Sequence, residues 1–158
     1  MKTKNLFVLI GLIILTELVG ILGSLTQTGS SEWFKNLVKP AINPPTWVFA
    51  PVWTTLYLLI ALSIYFVYTN KKISTKTKKI IYFLFGLQLI LNGIWTPLFF
   101  GLENMALALL DIIILSIAII ILEIYYYKYS KISFYLFLPY ILWVLFATIL
   151  NYRFLVLN

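Results

Sequence analysis

Five stretches of about twenty mostly apolar residues, each long enough to cross the hydrocarbon core of a bilayer as a helix, fill most of the chain. They run approximately over Leu6–Leu25, Val48–Tyr68, Ile80–Phe100, Met105–Tyr126 and Tyr135–Val156. A backbone inside lipid must satisfy its own N–H and C=O groups, which leaves helices or closed barrels as spanning structures. Runs of this length without strict alternation select helices. Of the 158 residues, 62% are hydrophobic and the mean hydropathy is +0.98, against about 45–50% apolar residues in soluble domains. The fold class expected is therefore all-α: a polytopic bundle of five transmembrane helices, forming one membrane domain over residues 1–158. The first run has the flanking lysines of a signal peptide (Lys2, Lys4) and small residues at Gly23 and Ser24. Its length and the acid Glu17 within it favour a retained span.

The breaks between spans carry the orientation signal. Lys71–Lys79 (KKISTKTKK) is the sharpest, Lys128–Lys131 (KYSK) a tight one, and Gly101–Asn104 shorter still, so that the third and fourth spans should form a close antiparallel pair. With five spans, Lys2, Lys4, Lys71, Lys72, Lys76, Lys78, Lys79, Lys128 and Lys131 fall on one side, and only Lys35, Lys39 and Arg153 on the other. The excess of basic residues places the N-terminus in the cytoplasm of a multi-pass cell-membrane protein. The net charge of +7 follows from these juxtamembrane clusters and suits anionic lipid headgroups, with no nucleic-acid partner expected.

Between the first two spans the chain changes character. Trp33 to Tyr57 (WFKNLVKPAINPPTWVFAPVWTTLY) holds three tryptophans and four prolines. Pro40, Pro44, Pro45 and Pro51 fix φ and remove backbone donors, so this is a stiff, structured loop leading into a span. Stiff aromatic loops of this length tend to cover binding sites.

Absent residues narrow the chemistry. The chain has neither Cys nor His, which removes disulfides, Ser-His-Asp triads, Cys nucleophiles, Cys/His zinc sites and the usual axial ligands of haem iron. Function is left to aromatic rings, amides and a few carboxylates. In the third span Gln88, Asn92, Trp95 and Phe99 recur at i, i+4, i+7 and i+11 and share one helical face. Amides in hydrocarbon need partners. Gln88 is expected to be interhelical hydrogen-bond glue, whereas Asn92 with Trp95 is expected to line a cavity. Pro97 should bend the end of this helix. The fifth span presents Tyr140, Trp143, Ala147 and Asn151 on one face, after a kink at Pro139. The second offers Trp53 and Tyr57 at i, i+4, a spacing that by itself most often means core packing. Three spans each presenting an aromatic beside a polar group argue for a shared site.

The acids inside spans are Glu17, Asp111 and Glu123. Glu123 lies where Lys128 or Lys131 should reach it. Asp111 is expected to pair with Asn or Tyr neighbours or to line the cavity. Glu17 has no evident basic partner, leaving protonation or a hydrogen bond across a helix interface. Gly86 and Gly93 on the third span, with Gly11 and Gly20 on the first, are small residues that would suit contact between two copies.

These motifs together resemble the TspO/MBR family, the translocator proteins or peripheral-type benzodiazepine receptors. The resemblance runs over nearly the whole chain. It is carried by Trp33, Lys39-Pro40, Pro44-Pro45 with Trp47-Val48, Pro51-Val52-Trp53 with Leu56-Tyr57, and Gln88 with Leu91-Asn92 and Trp95. It continues through Pro97 with Phe99-Phe100-Gly101, Ala108 with Asp111, and Pro139-Tyr140 with Trp143, Phe146 and Leu150-Asn151-Tyr152. It implies a five-helix bundle, usually a homodimer, with a pocket near the loop after the first span and that loop lying over it. It implies hydrophobic ligands: porphyrins such as protoporphyrin IX, haem, sterols in animal members, and synthetic benzodiazepine-site drugs. By motif position the pocket residues are Trp53, Asn92, Trp95, Trp143, Ala147 and Asn151, with Trp33 and Pro45 from the lid; Tyr57 joins them from the face it shares with Trp53. Some bacterial members are reported to break down protoporphyrin in light using pocket tryptophans, which would make Trp53 and Trp143 the catalytic candidates.

Two departures bear on ligand class. The sterol-recognition pattern fails in its spacing, because Leu150-Asn151-Tyr152 is followed at once by Arg153, and Leu107 stands where animal members often carry tryptophan. The expected function is a membrane receptor for porphyrin-type tetrapyrroles and related hydrophobic ligands, held by stacking, with Asn92 and Asn151 bonding the ring nitrogens or carboxylates and Lys35 and Lys39 meeting propionates at the mouth. No cofactor is required; porphyrin enters as ligand, with membrane lipid and a second copy of the chain as further partners. The alternatives are a light-dependent porphyrin-degrading enzyme and, ranked below it, a transporter of porphyrin or a small hydrophobic molecule.

Overall fold

The computed structural model describes residues 3–26 and 32–158. Six helices follow in order, with no strand among the described residues: α1 (Thr3–Thr26), the short α2 (Glu32–Asn36), α3 (Phe49–Thr69), α4 (Thr75–Thr96), α5 (Met105–Tyr129) and α6 (Lys131–Leu157). Five of them, all but α2, are long and apolar enough to span a membrane. They close into a ring in which α1 packs on α3, α3 on α6, α6 on α5, α5 on α4, and α4 back on α1. The third and fourth spans, α4 and α5, are the antiparallel neighbours the sequence led us to expect.

The helices overrun the apolar stretches at the lysine-rich end. The fourth helix starts at Thr75, so that Lys76, Lys78 and Lys79 belong to its first turns rather than to a loop. The fifth span starts at Lys131, with only Ser130 between it and α5. The cause is capping. Ser74 Oγ accepts from the Thr77 N–H at 3.2 Å, and Ser130 Oγ accepts from the Ser133 N–H at 3.5 Å. Each serine satisfies a helix N-terminal donor, and the lysine stems extend the helix beyond the hydrocarbon. Lys78 Nζ donates back to the Tyr68 carbonyl at 2.8 Å and fastens the α3–α4 turn.

At the opposite end α4 does not simply bend at Pro97. It passes into one π-helical turn over Pro97–Gly101, closed by the Leu102 N–H on the Pro97 carbonyl at 2.8 Å. Glu103 then takes a left-handed φ of 53°, and Asn104 Oδ1 caps α5 by accepting from the Leu107 N–H at 2.9 Å. Pro139 sits within a continuous α6.

The proline-rich loop is built from α2 and two tight turns, with Asn43 N–H on Pro40 O at 2.9 Å and Val48 N–H on Pro45 O at 3.0 Å. It is stapled to the end of α6. The Val38 N–H donates to Asn158 Oδ1 at 2.8 Å, and Asn158 Nδ2 returns a bond to the Val38 carbonyl at 3.2 Å. Beneath the loop lies a small apolar cluster of Phe99, Ala108, Leu150 and Phe154; the larger core, from Leu56 and Val144 to Val67 and Tyr126, fills the bundle toward its lysine-rich end.

Two of the four glycines read as a face between copies are used within the protomer. A methyl on Gly20 would run into the Tyr57 ring, and one on Gly93 would come within 3.3 Å of Val19 Cγ1. They let α1 approach α3 and α4 closely, whereas Gly11 and Gly86 face open space.

Candidate functional site

Between the loop and the middle of the ring the helices part to enclose a cavity of about 480 Å³, within the range of about 300–1,000 Å³ typical of small-molecule sites. Its floor is a relay of buried hydroxyls and amides. Tyr57 Oη donates to Asn92 Oδ1 at 2.6 Å, Asn92 Nδ2 donates to Tyr140 Oη at 3.2 Å, and Tyr140 Oη donates to Gln88 Oε1 at 2.9 Å. The chain ties α3, α4 and α6 together at one level. Gln88 is fully buried and serves as the interhelical glue expected of it, although its Nε2 finds no partner.

A second amide bridge stands nearer the loop. Trp95 Nε1 donates to Asn151 Oδ1 at 3.0 Å, and Asn151 Nδ2 donates to the Met105 carbonyl at 3.0 Å. This changes the role expected of the asparagines. Asn92 and Asn151 are not idle amides awaiting a ligand; their bonds are directed into the protein, where they fix the rings beside them.

Those rings form the walls. Trp53 stacks on Tyr57 with centroids 5.4 Å apart, and Trp95 stacks on Phe99 at 5.1 Å. Of the nine residues proposed from sequence, Trp53, Tyr57, Asn92, Trp95, Ala147 and Asn151 line the cavity. The other three stand behind it. Trp143 lies one layer back, perpendicular to Trp53 at 6.4 Å and edge-on to Phe49 at 6.0 Å. Trp33 packs edge-on to Phe99 at 5.7 Å. Pro45 sets the turn before Thr46. The loop reaches the cavity through Phe34, Asn43 and Thr46 instead. Lys39 holds Phe34 from outside, with Nζ on its carbonyl at 3.2 Å and 4.9 Å from its ring centroid.

The contribution of the first helix was missed. Glu17, Gly20, Ile21 and Ser24, at i, i+3, i+4 and i+7 along α1, all line the cavity. The signal was present in Glu17, an acid in a span with no basic partner.

The other two acids depart from expectation. Glu123 pairs with neither lysine: Lys131 Nζ lies 3.1 Å from the Tyr127 ring centroid and Lys128 Nζ 5.3 Å from that of Tyr129. Both Glu123 carboxylate oxygens are buried without a hydrogen-bond partner, as is Asp111 Oδ2, and Asp111 does not line the cavity. The lysines prefer the ring faces at the bilayer boundary because Glu123, on α5, is buried within the bundle, where an ammonium would have to leave water.

Against known proteins, a family model described as the TspO/MBR family matches residues 12–157. A tryptophan-rich protein TspO of Archaeoglobus fulgidus is 39% identical over 155 residues, covering 98% of this chain and 99% of that protein. A translocator protein of Bos taurus is 33% identical, covering 91% of this chain and 86% of its own. A tryptophan-rich sensory protein of Cereibacter sphaeroides is 34% identical, covering 80% and 77%.

Proposed function

The chain belongs to the TspO/MBR family of multi-pass membrane proteins, and on that premise we propose that it is a receptor for flat hydrophobic ligands of the porphyrin type, taken up in the cavity beneath the proline-rich loop. The carrying observation is the cavity's construction: aromatic rings on opposite sides, fixed by amides whose bonds are already made. Such walls favour a large planar apolar body through stacking and dispersion. Carboxylate arms of the ligand would point to the loop, where Lys35 and Lys39 stand. Since the chain has no His or Cys, iron would add no strong bond to the protein. In our reading the lysine-rich end faces the cytoplasm and the cavity opens toward the opposite side of the cell membrane.

The test is a titration of purified protein in nanodiscs with protoporphyrin IX and, separately, haem, following tryptophan emission. The expected result is saturable quenching, with the metal-free porphyrin bound at least as tightly as haem. Absence of saturation, or a clear preference for haem, counts against the reading.

Two ring contacts of Trp53 favour a second reading, light-dependent porphyrin breakdown by dioxygen. Trp53 touches Tyr57 inside the cavity and Trp143 behind it, a line of oxidisable rings leading away from the ligand position. Illuminating wild type and Trp53→Phe/Trp143→Phe with bound porphyrin separates the two: equal bleaching removes the enzymatic reading.

A further inference from the structure

Glu17 is the one carboxylate lining the cavity, and no Lys or Arg lines it. It sits halfway along α1, at the level of the cavity floor. Its neighbour Thr16 donates to the Tyr57 carbonyl at 3.0 Å, which fixes this turn of α1 against α3. Among the described residues Glu17 makes no ion pair or hydrogen bond. Of the polar groups that share the cavity lining, the Tyr57 hydroxyl already donates to Asn92, the Asn92 amide donates to Tyr140, and Ser24, Asn43, Thr46, Thr54 and Thr96 are uncharged. None brings a positive charge. An acid within a membrane span is costly and generally has a designated partner. Here the protein supplies none, and the space in front of the carboxylate is the ligand cavity.

The rings around that space have the matching chemistry. Trp53 and Tyr57 stack with an interplanar angle of 27°, and Trp143 stands at 89° behind Trp53. Indole and phenol faces attract cations, and a carboxylate flanked by such faces is a recurring solution for binding an organic ammonium. We propose that the cavity also binds lipophilic aromatic amines in their protonated form, the ammonium set against Glu17 and the ring system lying along Trp53 and Trp95. This goes beyond the porphyrin reading, whose ligand presents carboxylates rather than an amine, and it holds whether or not a tetrapyrrole is the natural occupant.

A matched pair of probes tests it: 9-aminoacridine, a cation at neutral pH, and acridine, which is neutral at pH 8. Both are titrated at pH 8 into protein in phosphatidylcholine nanodiscs, with empty nanodiscs subtracted to remove partition into lipid. Wild type, Glu17→Gln and Glu17→Asp are compared. A charge-assisted contact corresponds to roughly a tenfold or greater preference for the amine. Glu17→Gln should abolish that preference while leaving acridine binding within about twofold of wild type, and Glu17→Asp should retain part of it. Equal affinity of wild type for the two acridines overturns the proposal, as does a preference that survives in Glu17→Gln. Failure of the porphyrin titration with a preserved amine preference would sink the porphyrin reading alone; loss of amine preference with intact porphyrin quenching would sink this one alone. Loss of acridine binding together with the far-ultraviolet helix signal in Glu17→Gln identifies misfolding, and the comparison of wild type with Glu17→Asp then decides.

Discussion

Removal of one oxygen, in Tyr140→Phe, tests whether the relay on the cavity floor governs both stability and site geometry. The Tyr140 hydroxyl accepts from Asn92 at 3.2 Å and donates to Gln88 at 2.9 Å, and both Tyr140 and Gln88 are fully buried. The substitution deletes two bonds, each worth about 0.6 kcal/mol on average between membrane helices. It also strands Gln88 Oε1 beside an Nε2 that already lacks a partner, and a buried unsatisfied polar group costs about 1–3 kcal/mol. The expected loss is about 2–4 kcal/mol. Gln88→Leu alone should cost about 1 kcal/mol, since it strands the Tyr140 proton but removes the orphaned Nε2. In the double variant Gln88→Leu/Tyr140→Phe the Gln88 amide is gone and only Asn92 Nδ2, which borders the cavity, loses its acceptor, so the loss should return to about 1 kcal/mol, giving a coupling of at least about 1 kcal/mol. Unfolding by SDS in mixed micelles, followed by circular dichroism, measures all three. The reasoning is refuted if the double variant loses as much as the two single variants together, or if Tyr140→Phe is neutral.

Three further outcomes follow from the packing. Gly20→Ala should drive the Tyr57 ring away from Asn92 and weaken porphyrin quenching by roughly tenfold, the scale of about 1–3 kcal/mol seen on overpacking, while Gly11→Ala, which meets open space, should leave it unchanged. Glu123→Leu should raise the SDS unfolding free energy by about 1–3 kcal/mol, because it removes a buried carboxylate with two unpartnered oxygens; a loss of stability would point to a partner for that acid. Asn158→Ala should release Val38 from the end of α6, speeding amide exchange over residues 36–40 and ligand dissociation, with the unfolding free energy lowered by less than about 1 kcal/mol because the two bonds to Val38 are exposed and the third is a local one to the Phe154 carbonyl.

The bundle was legible because lipid imposes one rule over long distances: some twenty apolar residues with internal hydrogen bonds make a helix. The helix ends were less so. Ser74 and Ser130 decide them, and lysines that read as loop are carried on capped helical turns. The amide faces were legible through their period, hence the placement of Asn92, Trp95, Ala147 and Asn151 on the cavity. What these amides bond to was not. Asn151 meets Trp95 and the Met105 carbonyl across 56 and 46 residues, and no local pattern encodes a partner at that separation. The loop misled for a related reason. Trp33 is the larger ring, but its neighbour Phe34 borders the cavity while Trp33 packs on Phe99, because one residue along α2 turns the side chain by about 100°, and the sequence of so short a helix does not set its rotation.

These features divide the labour of recognition unevenly. A cavity whose amides were free would select ligands by hydrogen bonding but would carry those unpaired groups at a cost whenever it stood empty. Here the cost is avoided, since Asn92, Asn151, Tyr57 and Trp95 satisfy one another or the backbone. The aromatic walls are thereby set before any ligand arrives, and binding need not spend energy ordering them. The same economy makes the walls tolerant: stacking and dispersion accept many flat molecules of similar area. Discrimination must then come from the groups left unsaturated, and Glu17 is the one carboxyl group among them. Rigid unselective walls with one carboxyl group among them predict that substitutions in the amide relay will change affinity for all planar ligands together, whereas substitutions at Glu17 will change their order.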